Sequence, residues 1–287
     1  MVEFWDALRD VDIPFLRYAL IAGLLACVSF GVVGTYVVTR RISYLAGAIA
    51  HSVLGGIGVA VYAQEVLGWK WCHPMLGALL AAILAAVLLG LISLYAKERE
   101  DTAISVIWAM GMSIGLIFFY LVPNYTDPMT YLFGNILFVD QTDIWAVLIL
   151  DIVVVILTLL FHERILAVAF DEEFARLRGL RTGWYFMLLL IMTALSVVLL
   201  VRLVGIVMVI ALLTIPAAIA GRFVGKVWQI MIVATVLSML FISSGLYTAY
   251  QFELVNGPMI ILIAGTAYLI SLLLCWCCKG ICGKRDS

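Results

Sequence analysis

Residues 20–62 read LIAGLLACVSFGVVGTYVVTRRISYLAGAIAHSVLGGIGVAVY, two apolar runs separated by the short break TRRIS. Extended to their natural limits, each run reaches the roughly 20 residues that carry a helix across about 30 Å of hydrocarbon. The break supplies Arg40 and Arg41, which belong among water and headgroups. The pattern is that of two helices crossing a bilayer and joined by a tight turn. The runs are continuous rather than alternating and too long for barrel strands, so the fold reads as all-α.

Further runs of this kind follow along the chain. Spans are expected at about 15–38, 44–63, 74–95, 103–122, 144–161, 183–201, 203–221, 227–248 and 258–278. Only the stretch from Arg202 to Gly205 separates the sixth run from the seventh. If one of that pair is re-entrant, the crossings number eight rather than nine. The 287-residue chain is 66% hydrophobic and 12% charged with mean hydropathy +1.18, which excludes a soluble globular protein. Residues 1–287 therefore read as one polytopic membrane domain. Its first residues, MVEFWDALRDVD, mix acids with bases and carry aromatic side chains. They read as a retained interfacial segment rather than a signal peptide.

Lysine and arginine set the orientation, because short loops rich in them stay cytoplasmic. Arg40, Arg41, Lys97, Arg99, Arg164, Arg176, Arg178, Arg181, Arg222, Lys226, Lys279, Lys284 and Arg285 fall on one side under nine spans. Arg9, Arg17, Lys70 and Arg202 fall on the other. The first side is therefore cytoplasmic and holds the C-terminus. Charge is too sparse for a nucleic-acid surface, and no G-x-x-x-x-G-K-[ST] loop offers a nucleotide site.

His51 lies ten residues beyond Arg41, about 15 Å along a helix and so near the midplane. Polar groups are costly there and face protein or a water-filled path. Gly47, His51 and Gly55 recur at i, i+4 and i+8, with Gly56 adjacent, leaving one helix face almost bare around an imidazole. Two readings stand. The bare face admits a close neighbour helix that hydrogen-bonds the ring, or it presents a nitrogen to a passing divalent metal, for which neutral imidazole is a good ligand. One imidazole binds weakly, which suits a pathway, and a symmetric dimer would bring a second. Asp151 in the fifth run is another intramembrane ionisable group and a further candidate for metal contact.

The segments TRRISYLAGAIAHSVLGGIGVA (39–60), YLFGNILFVDQTD (131–143), AFDEEFARLRGL (169–180), VGIVMVIALLTIPAAIAGR (204–222) and SGLYTAYQFELVNGP (244–258) together resemble the membrane permease subunit of bacterial ABC importers for zinc, manganese or iron(II). They occur in the family's order and cover nearly the whole chain. The resemblance implies a type II ABC importer permease: a homodimer in the bacterial cytoplasmic membrane, fed by an extracytoplasmic metal-binding protein and driven by a cytoplasmic ABC ATPase dimer. It implies a non-catalytic subunit whose substrate is a divalent metal, with no permanently bound cofactor. Residues 163–182 would hold the coupling segment. Within it Asp171 can cap a short helix with Glu172 and Glu173 in its first turn, Ala175 in its body and Gly179 at its end. The resemblance departs at one position. Many relatives carry an aspartate four residues before the histidine, where this chain has Gly47, so a two-ligand pathway site does not carry over directly.

Other features weigh less. HERIL (162–166) lacks the second histidine of a zinc-protease helix, since residue 166 is Leu166, and no paired catalytic constellation supports an intramembrane hydrolase. Pro216 removes a backbone donor within the seventh span and marks a candidate hinge. His73 reads as an exposed loop residue, and the thiols of Cys275, Cys277, Cys278 and Cys282 read as reduced and interfacial. Two transport alternatives remain open: a permease for chelated iron or a cobalamin-type substrate, and a proton-coupled secondary carrier with Asp151 as its proton site.

Overall fold

The computed structural model describes residues 14–95, 100–123, 128–134, 139 and 141–277, and among these every regular element is a helix. They are α1 (Pro14–Thr39), α2 (Ser43–Glu65), α3 (Pro74–Tyr95), α4 (Glu100–Leu121), α5 (Pro128–Phe133), α6 (Gln141–Phe170), α7 (Glu172–Leu177), α8 (Thr182–Val204), α9 (Ile206–Phe223), α10 (Val227–Gln251) and α11 (Asn256–Cys277). Among the described residues, nine of these are long and apolar enough to cross a membrane, all but the short α5 and α7. A helix pairs its backbone groups within itself, as a lipid environment demands.

The joints explain how so many helices fit in so few residues. After α1, the Arg41 N–H bonds the Val38 carbonyl at 3.0 Å and the Ile42 N–H bonds that of Val37 at 2.9 Å. Arg41 itself sits at φ 60°, so α1 ends in a Schellman closure with an arginine in the position usually held by glycine. Gly205 alone joins α8 to α9, at φ 81° and ψ 161°, a region open in practice to glycine. The sixth and seventh runs are thus separate helices, each of membrane length.

One expectation changes. The fifth span does not stop near 161: α6 continues to Phe170, so the first residues of the expected 163–182 segment are helical. Ile165 and Val168 are buried on the core side there, which keeps the helix going past the charged His162–Arg164 stretch. Pro216 lies inside α9, which runs through it. The amino-terminal segment lies outside the described residues, as do Cys278 and Cys282 and the side chain of Cys277.

Over its most apolar stretch α2 is 83% buried, against 17% for both α4 and α11, so α2 is a central post and the other two are peripheral. α2 packs mainly against α3 and α4, whereas α1 packs against α6, α9 and α10. The two helices share a tight turn yet diverge from it. α8 fills the space between them, touching α1, α2, α3 and α6. Leucines at 76, 80, 84 and 88 on α3 and Ile149, Ile152, Ile156 and Leu159 on α6 form outward stripes suited to lipid.

Candidate functional site

His51 lies on the α2 face that meets α4. Its ring stacks on Trp108, with centroids 4.3 Å apart and planes 15° from parallel. The residue is only 8% exposed, and its Nδ1 has no hydrogen-bond partner among the described residues. Beyond it the two helices run in parallel register through contacts that leave no space for side chains. A Cβ on Gly55 would lie 2.7 Å from the Gly111 carbonyl oxygen, and one on Gly58 would lie 2.6 Å from that of Gly115. Tyr62 and Phe118 close the outer end of the seam edge-to-face at 5.2 Å. On the opposite side, a Cβ on Gly56 would collide with the Gly77 carbonyl of α3.

The sequence-predicted glycine face is therefore a helix-packing face, and the imidazole is covered by an indole rather than open. Gly47 belongs to the same arrangement, because a Cβ there would meet only the Trp108 ring, at 3.6 Å. A methyl group fits at this position, and a larger side chain would have to share the space beside the indole. The space one turn below His51 thus belongs to Trp108. Sequence reading missed this tryptophan. The signal for it was the spacing of Trp108, Gly111 and Gly115, which repeats the bare-face pattern of α2 on a second helix.

Asp151 is equally buried, at 5% exposure, but elsewhere. Its Oδ1 accepts a hydrogen bond from the Ser29 hydroxyl of α1 at 2.5 Å, and its Oδ2 has no partner among the described residues. Further down the same α1–α6 contact, the Tyr36 hydroxyl and His162 Nδ1 lie 2.8 Å apart. His162, the first residue of HERIL, is thereby engaged in helix packing. Asp151 and His51 belong to different packing groups among the described residues: α6 packs mainly on α1 and α8, whereas α2 packs mainly on α3 and α4. No group of three or more His, Cys, Asp or Glu side chains able to hold a metal occurs among the described residues.

At the outer end, a cavity of about 190 Å³ lies among Ile57, Met75, Thr130, Tyr131, Asp143 and Val198. His73, nearby in sequence, accepts a hydrogen bond at Nδ1 from the Met75 N–H at 3.3 Å and so caps the start of α3. At the inner end, α7 has the ends read from its sequence. Asp171 Oδ1 accepts from the Phe174 N–H at 2.9 Å. Gly179, at φ 79°, completes the stop, with its N–H on Arg176 O at 2.9 Å and the Leu180 N–H on Ala175 O at 3.1 Å. Glu172 turns toward Arg40, Glu173 lies on the exposed side and Ala175 is buried against the bundle. Phe174 and Leu177 project outward, 50% and 87% exposed.

Comparison with known proteins identifies the architecture. The sequence model of the ABC 3 transport family matches residues 12–275. The chain belongs to the ABC 3 transport family. Like this family's membrane proteins, it crosses the bacterial cytoplasmic membrane several times. A Chlamydia trachomatis protein named "Probable metal transport system membrane protein" is 37% identical to this ABC 3 chain over 91% of it and 89% of the relative. The manganese transport system membrane protein MntC of Listeria monocytogenes is 30% identical over 90% of each. The solved structure of PsaBC from Streptococcus pneumoniae in complex with Fab matches with TM-score 0.81 at 28% identity, over 93% of this chain and 94% of that one.

Proposed function

We propose that this chain is the permease subunit of an ATP-driven divalent metal importer. Two copies enclose the pathway, an extracytoplasmic binding protein delivers the metal, and an ABC ATPase dimer docks at α7. The observation that carries the reading is α7 itself. It is a short helix capped at both ends, held between two membrane-length helices at the end of the bundle that the lysine and arginine distribution marks as cytoplasmic, with Phe174 and Leu177 exposed. Apolar side chains left in water on a capped helix fit a protein groove. A secondary carrier has no need of such a helix.

Manganese is the first cargo to test, because relatives across nearly the full length are named for manganese or metal transport systems. His51 is the group that contacts the metal in transit. In the conformation described, Trp108 covers it, so contact requires α4 to shift against the inner half of α2 while the glycine contacts at 55 and 58 hold the outer half. A ring freed in this way offers one neutral nitrogen, a weak hold that suits passage rather than storage. Gly55 and Gly56 keep α2 in register with its neighbours during that movement, and Gly47 gives the indole its resting place.

Reconstituted vesicles test the proposal. Radiolabelled manganese and zinc are offered outside, bound to the partner protein, with ATP and the ATPase on the cytoplasmic face. Uptake that needs both partners is expected. Uptake without ATP would favour the secondary carrier, and uptake of a metal chelate but not of free metal would favour the chelate permease.

A further inference from the structure

Arg40 occupies the turn from which α1 and α2 diverge, and its side chain leaves that turn for three other elements. Its Nη1 donates to the Val168 carbonyl near the end of α6 at 2.5 Å. Its Nη2 pairs with Glu172 in the first turn of α7 at 3.0 Å. Its guanidinium carbon lies 4.3 Å from the centroid of the Phe186 ring on α8. The Arg40 side chain is 13% exposed and that of Glu172 33%, so this pair is better shielded from water than the neighbouring Arg176–Glu172 pair, in which Arg176 is 70% exposed.

We infer that Arg40 is a positioning residue that ties the coupling helix α7 to the α1–α2 turn, and so passes movement of α7 to the helix that bears His51. This rests on the permease reading. Three features make the tie mechanical rather than decorative. A planar guanidinium that engages a carboxylate and a carbonyl at once resists rotation, which a point-charged ammonium would not. The turn is stiff, because its Schellman bonds fix Arg41 and Ile42 directly after Arg40. The Leu45 N–H then bonds the Ile42 carbonyl at 3.0 Å, so α2 starts without a slack residue. His51 follows about two helical turns further on. A displacement of α7 pulls on Glu172, Arg40 and the N-terminus of α2 in that order. That end of α2 faces Trp108, whereas the glycine contacts grip the other half.

The test uses the complete complex in liposomes and reads metal delivered per ATP hydrolysed, with thermal unfolding and co-purification of the ATPase as controls. In Arg40→Ala, assembly and unfolding temperature stay near the parent and hydrolysis continues, while metal per ATP falls roughly tenfold. Arg40→Lys, which keeps the charge but not the fork, falls between the two. Glu172→Ala loses less than Arg40→Ala, and the double variant is no worse than Arg40→Ala alone, as expected of residues on one route. A parental ratio in Arg40→Ala overturns the inference. So do losses that multiply in the double variant, or a loss that merely tracks reduced assembly. If Arg40→Ala fails to assemble, Glu172→Ala decides, since it leaves the bonds to Val168 and Phe186 in place: a parental ratio there overturns the tie. Absence of ATP-dependent uptake by the parent complex would instead remove the permease reading, and this inference with it.

Discussion

His51, Trp108 and Gly47 work as a unit, because each occupies space that the others define. The stacked pair contributes on the order of 1 kcal/mol beyond its burial and keeps water from the imidazole. Trp108→Ala is therefore expected to expose His51 to diethyl pyrocarbonate in detergent-purified protein, whereas the parent ring reacts slowly; equal rates would show that the indole is no cover. Gly47→Ala should be silent, since its Cβ meets Trp108 at an ordinary 3.6 Å. Gly47→Asp should lower the thermal unfolding temperature, and the loss should shrink when combined with Trp108→Ala. Failure of that combination to recover would mean that the indole does not own the space. The sequence announced a histidine on a bare face but not which helix would cover it, because pairing between distant spans leaves no local signature.

Elements in this protein are defined by their ends. α7 has six residues, too few to hold a helix by propensity alone, so its caps and its contacts with α6 and α8 decide whether it exists. Asp171→Ala removes the bond to the Phe174 N–H and should cost about 1 kcal/mol of local helix stability. Faster amide exchange at 172–177 with unchanged exchange in α6 would report it, and loss throughout the bundle would refute a local role. This part was legible in advance because capping is written within ten consecutive residues. The end of α6 was less so: charge at His162–Arg164 suggests a loop, and only the buried faces of Ile165 and Val168, supplied by tertiary packing, carry the helix through to Phe170. Gly55 shows the converse case. The bare face reads clearly as a packing surface, and Gly55→Leu should push α2 off α4 at a cost of about 1–3 kcal/mol, seen as a lower unfolding temperature.

For the whole molecule, the sequence located the nine membrane-length runs, because lipid thickness imposes a length on each span, but it left the crossings at eight or nine and did not announce α5, and the order in which spans pack had to come from the structure. That packing leaves α4 exposed on one side although its other side covers His51. Beside the exposed Val106, Met110, Ile114 and Ile117, that side carries a row of small residues, Ser105, Ala109 and Ser113 at i, i+4 and i+8, which the leucine stripe that α3 turns outward lacks. Leucine is at home against acyl chains, whereas small residues gain little from lipid and allow two backbones to approach. A second copy meeting this chain along α4 would place both covered imidazoles behind the shared contact, each about one helix from the twofold axis. Shifts of α4 could then uncover both together. Ser113→Cys, in a chain whose native cysteines are replaced, should form an intermolecular disulfide in native membranes under mild oxidation. Leu84→Cys on the leucine stripe should stay monomeric. The reverse pattern would put the dimer contact on α3 and detach α4 from the pathway.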